Sequence, residues 1–248
     1  MSDPIITPKQ FLAKDTLPIE VQGCSLAIVG FCKFGDMKSR LMAEPLGETI
    51  FSHLDKSHQF VGQIGANKIL AVECLYGGPL SATVLEEIAH HGVRIVIGYG
   101  YAGSLTRQLP IGQIVLANAA ITSDGTSREY LPEEEKVYPD EELIQKFSES
   151  AKELGKPMQM GTVWTTDAIY REYPDKIEKW RRMGANIVNM DTSYFYAVSR
   201  VVGLSSVYAC TVSDCVEGPG WDDGFGRVRA AMADLQNVMI RTALKILN

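Results

Sequence analysis

The spacing of apolar and polar positions divides the chain into alternating strand-like and helix-like stretches. Residues 24–31, CSLAIVGF, form an apolar run suited to a buried strand, and 58–75, HQFVGQIGANKILAVECL, read as two strands joined by a Gly-Ala-Asn-Lys turn. In 78–92, Pro79 near the first turn, Val84, Leu85, Ile88 and Ala89 on one side, and Gly92 at the far end predict a punctuated helix. Strands are expected over 93–100 and 111–121, followed by the polar, turn-rich 122–140, too long for a simple connector and therefore a candidate substrate loop. Beyond it the pattern predicts a helix over 140–154, a strand over 158–167, a helix over 174–184, a short strand over 185–190, a helix over 192–203, a strand over 205–214 and a long final helix from about Gly224. Strands alternating with helices at these intervals predict an α/β fold whose sheet is mainly parallel or mixed and covered on both faces.

Composition narrows the function classes. A chain of 248 residues with 46% hydrophobic content has ample material for one core, and the whole of 1–248 is expected to be a single domain. A net charge of −6 without a basic block argues against a nucleic-acid partner. Five cysteines at 24, 32, 74, 210 and 215 include no C-x-x-C pair, and the histidines at 53, 58, 90 and 91 lack metal-ligand spacing, so neither a metal site nor a disulfide framework is expected. The first eleven residues show no basic segment leading into an apolar one, and no apolar stretch is long enough to span a bilayer. The expectation is a cytoplasmic protein that needs no membrane and no cofactor.

Residues 95–103, IVIGYGYAG, satisfy the G-x-G-x-x-G pattern through Gly98, Gly100 and Gly103. A dinucleotide site requires its last glycine to open a helix, on whose N-terminus the pyrophosphate rests. Here Pro110 and Gly112 leave no room for a crossover helix before the next strand, and Asp124, at roughly the spacing of a ribose acid, lies in the polar loop beyond a strand. The dinucleotide reading is rejected. What remains is a glycine-rich turn at a strand's end, either letting backbone approach a ligand or serving only tight turning and close strand packing.

Four stretches in order carry a resemblance: YGGPLSATVLEEI (76–88), GYAGSLTRQLPIGQIVLANAAITSDGTSREYLP (100–132), GTVWTTDAIYRE (161–172) and NMDTSYFYAVSRVVGLSSVYACTVSD (189–214). Together they resemble the nucleoside phosphorylase and nucleosidase superfamily, which cleaves the N-glycosidic bond of nucleosides. The resemblance implies a mixed central sheet partly closed into a barrel and flanked by helices, and a homodimer or hexamer. It also implies a nucleoside substrate, purine favoured, with inorganic phosphate as co-substrate.

The chemistry needs an acid for the leaving base and anchors for the sugar. By resemblance, Asp214 in TVSD is similar to the aspartate that faces the purine, and Arg227 to an arginine that assists it; a turn cap and an exposed structural arginine are the plain alternatives. Asp191 and Asn189 occupy the two acidic positions of a glutamate-methionine-glutamate motif that holds ribose, with Met190 against the sugar; an N-cap role for Asp191 and a core role for Met190 compete. Trp164 matches an aromatic that stacks on the base, with a buried core ring as the alternative. The turns holding Gly77 to Ser81 and Gly100, Tyr101 and Gly103 are expected to form the pocket floor.

The match fails at phosphate. The family's phosphate arginine and hydroxyl are replaced by Gly98 and Tyr101, which removes a bidentate clamp. Arg40, one position beyond the usual spacing in FGDMKSR, and Arg128 are the weak replacements. Phosphorolysis is therefore accompanied by two alternatives: a nucleosidase using water, and a binding or storage protein that keeps the pocket without turnover.

Overall fold

A computed structural model describes residues 4–12, 17–73, 75–217 and 220–248; Cys74 lies outside the described residues. A short helix α1 (Pro8–Phe11) precedes β1 (Leu26–Gly30), α2 (Met37–Arg40) and β2 (Glu44–Pro45). The hairpin β3 (Gln59–Ile64) and β4 (Asn67–Val72) leads into α3 (Gly78–His90), β5 (Ile95–Ser104) and β6 (Ile114–Ile121). Then come α4 (Gly125–Tyr130), β7 (Lys136–Val137), α5 (Glu141–Glu153), β8 (Met158–Thr165), α6 (Pro174–Arg182) and β9 (Ile187–Asn189). The chain ends with α7 (Thr192–Val202), β10 (Ser205–Cys215), β11 (Asp222–Asp223) and α8 (Arg229–Leu247).

All the strands belong to one mixed sheet. β5 pairs parallel with β10, β10 antiparallel with β6, β6 parallel with β8, β8 parallel with β9, and β9 antiparallel with β5, so this set closes into a five-stranded barrel. From β5 the sheet runs outward through β1, β4, β3 and β2. β1 illustrates the double covering. Ala27 and Val29 pack with residues of α3 and α7, Leu26 and Ile28 with residues of α5 and α8, and all four are inaccessible. That is why the strand reads as an unbroken apolar run rather than an alternation.

The helices follow from local chemistry. Asp140 caps α5 by accepting from the Leu143 amide at 3.1 Å, and Leu143, Phe147 and Ala151 recur at intervals of four to make its buried stripe. α7 is buried from Thr192 through Ser199 and stops at Gly203, whose φ of 77° is the left-handed conformation glycine adopts without strain.

Three expectations change. The glycine-rich stretch is not a turn, because β5 continues through Gly98, Gly100 and Gly103 to Ser104, with none of the three in the left-handed region. Their missing side chains make room instead. A Cβ on Gly98 would stand 2.7 Å from Tyr208 and 2.9 Å from Phe195. The polar 122–140 contains α4, capped by Asp124, and the short β7. The final helix starts at Arg229 rather than near Gly224, since Phe225–Arg227 form a 3-10 turn and the Phe225 amide donates to Asp223 at 3.0 Å.

Candidate active site

Two carboxylates approach β5 near its C-terminal end. Asp191, at the start of α7, lies over Gly100, and Asp214, in β10, lies over Gly103: Cβ atoms added at those glycines would sit 3.5 Å and 3.1 Å from their Oδ2 atoms. Three residues of extended strand put these points about 10 Å apart, on alternate sides of the pleat.

Asp191 does not cap its helix with its side chain. The Tyr208 hydroxyl donates to its Oδ2 at 3.0 Å and the Tyr194 hydroxyl to its Oδ1 at 3.3 Å, while Phe31 packs against both tyrosine rings, 5.6 Å from Tyr208 and 6.2 Å from Tyr194 between centroids. Burial pushes the Asp191 carboxyl up to about 7, against the two tyrosine hydrogen bonds, which favour its charged form. Tyr194 is also hydrogen-bonded with Ser81, whose hydroxyl donates to the Gly77 carbonyl at 2.8 Å in the first turn of α3. Ser81 thus connects the α3 entry to Asp191, although it is itself fully buried.

Asp214 sits at the rim, after an irregularity between Val212 and Asp214 in the pairing with β5. The Ser213 hydroxyl donates to its Oδ1 at 2.7 Å and the Trp221 indole Nε1 to its Oδ2 at 2.8 Å. Glu172, just past the 3-10 turn Ile169–Arg171 that follows β8, is held at about 7 by burial and then by the nearby charge of Asp214, with Lys176 acting the other way. Asp214 therefore has a second carboxylate, Glu172, within electrostatic reach.

Several expected residues stand elsewhere. Arg227 is bonded away from Asp214: its guanidinium donates to Asp222 at 2.8 Å and to the Asp223 carbonyl at 3.0 Å. Trp164 does not offer its face to a base. It is 1% exposed, stacked on Trp180 at 5.9 Å with Lys176 over its ring, in a cluster with Leu105, Ile121, Ala185 and Val188. Asn189 is not turned toward a sugar: its Oδ1 accepts from the amides of Asp191 and Thr192 at 3.1 Å and 3.2 Å, and its Nδ2 donates to Thr192 Oγ1 at 2.7 Å, so it organises the start of α7. Met190, between them, is half-buried. Tyr101 is half-buried with its ring against Phe225 at 5.7 Å.

The weak phosphate candidates are separated as well. Arg40 Nη1 donates to Asn237 of α8, and Arg128 Nε donates to the Thr122 carbonyl at 3.1 Å. At Gly98 the neighbouring space is filled by Tyr208 and Phe195, whose rings meet at 5.9 Å. Asp124 accepts from the Ser127 amide at 2.7 Å, the Ser127 hydroxyl at 2.6 Å and the Ser193 hydroxyl, tying α4 to α7. Among the described residues no group of three or more His, Cys, Asp or Glu is arranged to hold a metal ion, and no helix is long and apolar enough to cross a membrane.

Sequence reasoning missed Tyr194, Tyr208, Glu172 and Trp221. The first three lie inside the quoted stretches 161–172 and 189–214, and Tyr194, three residues after Asp191, was within reach of a helical-spacing argument.

The model of the phosphorylase superfamily matches residues 27–247. An uncharacterized protein of Acanthamoeba polyphaga mimivirus is 33% identical over 223 residues, 89% of this chain and 86% of that protein. The DeoD-type purine nucleoside phosphorylase of Streptococcus pneumoniae is 25% identical over 214 residues, 84% of this chain and 90% of the relative. Among solved structures, purine nucleoside phosphorylase from Toxoplasma gondii in complex with immucillin-H superposes with a TM-score of 0.81 at 17% identity, covering 92% of this chain and 93% of that one. Uridine phosphorylase from Vibrio fischeri ES114 superposes with a TM-score of 0.74 at 22% identity and the same coverage.

Proposed function

The chain belongs to the phosphorylase superfamily, and from that premise we propose that it cleaves the N-glycosidic bond of a nucleoside, purine favoured, releasing the free base and passing the sugar to phosphate as ribose 1-phosphate. The observation that carries this reading is Asp214 at the rim of the barrel, fixed through both oxygens by Ser213 and Trp221 with Glu172 close by. As the bond breaks, the sugar gains oxocarbenium character and negative charge flows into the base. A carboxyl group set against the base stabilises that charge by giving or sharing a proton, and Glu172, half-buried with a raised proton affinity, is placed to supply one. On the sugar side, the proposal assigns Asp191 and Met190 to the ribose, with Tyr208 and Tyr194 holding the Asp191 carboxyl.

The names of relatives support phosphate as the acceptor, since the DeoD-type relative is called a phosphorylase. A second reading, with water as acceptor, is favoured by the packing at Gly98, where Tyr208 and Phe195 fill the space beside the position matching the family's phosphate arginine. Assembly as a homodimer or hexamer accompanies either reading and is measured by light scattering.

The decisive experiment incubates the protein with purine and pyrimidine nucleosides, with and without phosphate, and quantifies free base, ribose 1-phosphate and free ribose. Phosphate-dependent ribose 1-phosphate supports the first reading, free ribose without phosphate the second, and no base release leaves a binding protein. Asp214→Asn should lower turnover by about a hundredfold or more at unchanged melting temperature; a folded, fully active variant removes Asp214 from the reaction.

A further inference from the structure

Resting on the proposed cleavage of a nucleoside, the geometry points to Trp221 as the residue that positions Asp214 and forms the aromatic wall of the leaving-base pocket. By resemblance these two tasks would fall to Arg227 and Trp164, but Arg227 is held by Asp222 and the Asp223 carbonyl, and Trp164 is 1% exposed against Trp180. Trp221 is 62% exposed and at the same time donates its Nε1 proton to Asp214 Oδ2 at 2.8 Å. Exposure alone is shared with Tyr170 and Phe225; what sets Trp221 apart is that its polar edge is tied to the carboxylate expected to meet the base while its ring remains free to meet a ligand.

The backbone dictates the juxtaposition. β11 returns antiparallel to the end of β10, with Asp223 opposite Asp214 and Asp222 opposite Cys215, so Trp221, one residue before β11, comes back diagonal to Asp214 on the same side of the strand pair. Gly103 permits the approach from the other side, since Asp214 Oδ2 lies 3.1 Å from where its Cβ would be. An ionised carboxylate offers about four lone-pair sites. Ser213 and Trp221 occupy one on each oxygen. The remaining sites are open to a ring nitrogen of the base. An indole N–H, a donor without charge, orients the carboxylate without the competing cation that an arginine would bring. The flat apolar ring beside it suits a planar heterocycle and discriminates weakly among bases.

Indole fluorescence separates this proposal from its alternatives, because the three tryptophans are Trp164, Trp180 and Trp221 and the first two are buried. Free hypoxanthine and guanine are titrated into wild type, Trp164→Phe, Trp221→Phe and Trp221→Leu, with no turnover needed. Quenching is expected in wild type and Trp164→Phe and its loss in both Trp221 variants. In the nucleoside assay, Trp221→Phe keeps a ring but loses the donor, so kcat should fall about tenfold with KM within about twofold; Trp221→Leu should raise KM about tenfold as well. Restoration of KM by phenylalanine but not by leucine is the signature of the wall. Quenching that survives in Trp221→Phe, or wild-type kcat and KM in Trp221→Leu, overturns the proposal. Quenching at Trp221 with no base released from any nucleoside supports its contact with the base and overturns the cleavage reading instead.

Discussion

The proton on Asp191 makes stability depend on pH in a direction that can be worked from the structure. Its carboxyl is buried beside the Gly100 backbone, and burial raises it from 3.8 to about 7 in spite of the hydrogen bonds from Tyr208 and Tyr194. Between those values the folded protein holds a proton that the unfolded chain has released, so this group's stabilisation is complete below 3.8 and disappears as pH rises through about 7. At about 1.4 kcal/mol per pH unit, the whole interval amounts to about 4 kcal/mol, of which about 2 kcal/mol lies between pH 5.5 and 7.5. Asp191→Asn preserves the shape and cannot titrate, and subtracting its stability from that of wild type cancels the contributions of Glu172, Glu87 and every other titrating group. Urea unfolding of both proteins from pH 5.5 to 8.5 should give a difference that falls by about 2 kcal/mol up to pH 7.5 and is then flat. Tyr208→Phe, which removes a donor to the charged form, should move the start of the flat region to higher pH. A difference independent of pH across the range refutes the argument, because Asp191 would then be ionised in the folded protein throughout.

The other predictions concern residues whose partners in the structure differ from those expected. Trp164→Ala should cost about 3–5 kcal/mol in chemical denaturation by opening a cavity against Trp180; a loss below about 1 kcal/mol would place the ring outside the core. Gly98→Ala should destabilise by about 1–3 kcal/mol through contact with Tyr208 and Phe195, and Gly98→Arg should fail to create phosphate dependence, so a stable, phosphate-stimulated arginine variant would contradict the packing. Arg227→Ala should leave kcat/KM within about twofold, since its partners are Asp222 and Asp223, and a tenfold loss would return the guanidinium to the acid.

Hydrophobic period and punctuation alone specified the strand–helix alternation. β1, β3, β4, α3, β6, α5, β8 and α7 lie where the apolar spacing predicts them, because each signal is written within a few consecutive residues: Pro79 at the start of α3, Gly203 after α7, a two-sided apolar run in β1. The rejection of a dinucleotide site also stands on local spacing, and Asp124 is committed to capping α4. The barrel required more. Its closure depends on β10 pairing with both β5 and β6, a choice made by whole surfaces coming together. The same holds for side chains. Whether Trp164 meets a ligand or a core depends on Trp180 packing back from α6, and Asp191 holds its proton because distant segments bury it, against the hydrogen bond that Tyr208 brings from β10. Even Trp221 and Asp214, seven positions apart, meet only because β11 folds back on β10. A residue type and its neighbours in sequence determine the chemistry available; desolvation and the partners that satisfy each polar group arise from packing between distant segments, and those decide which chemistry is expressed.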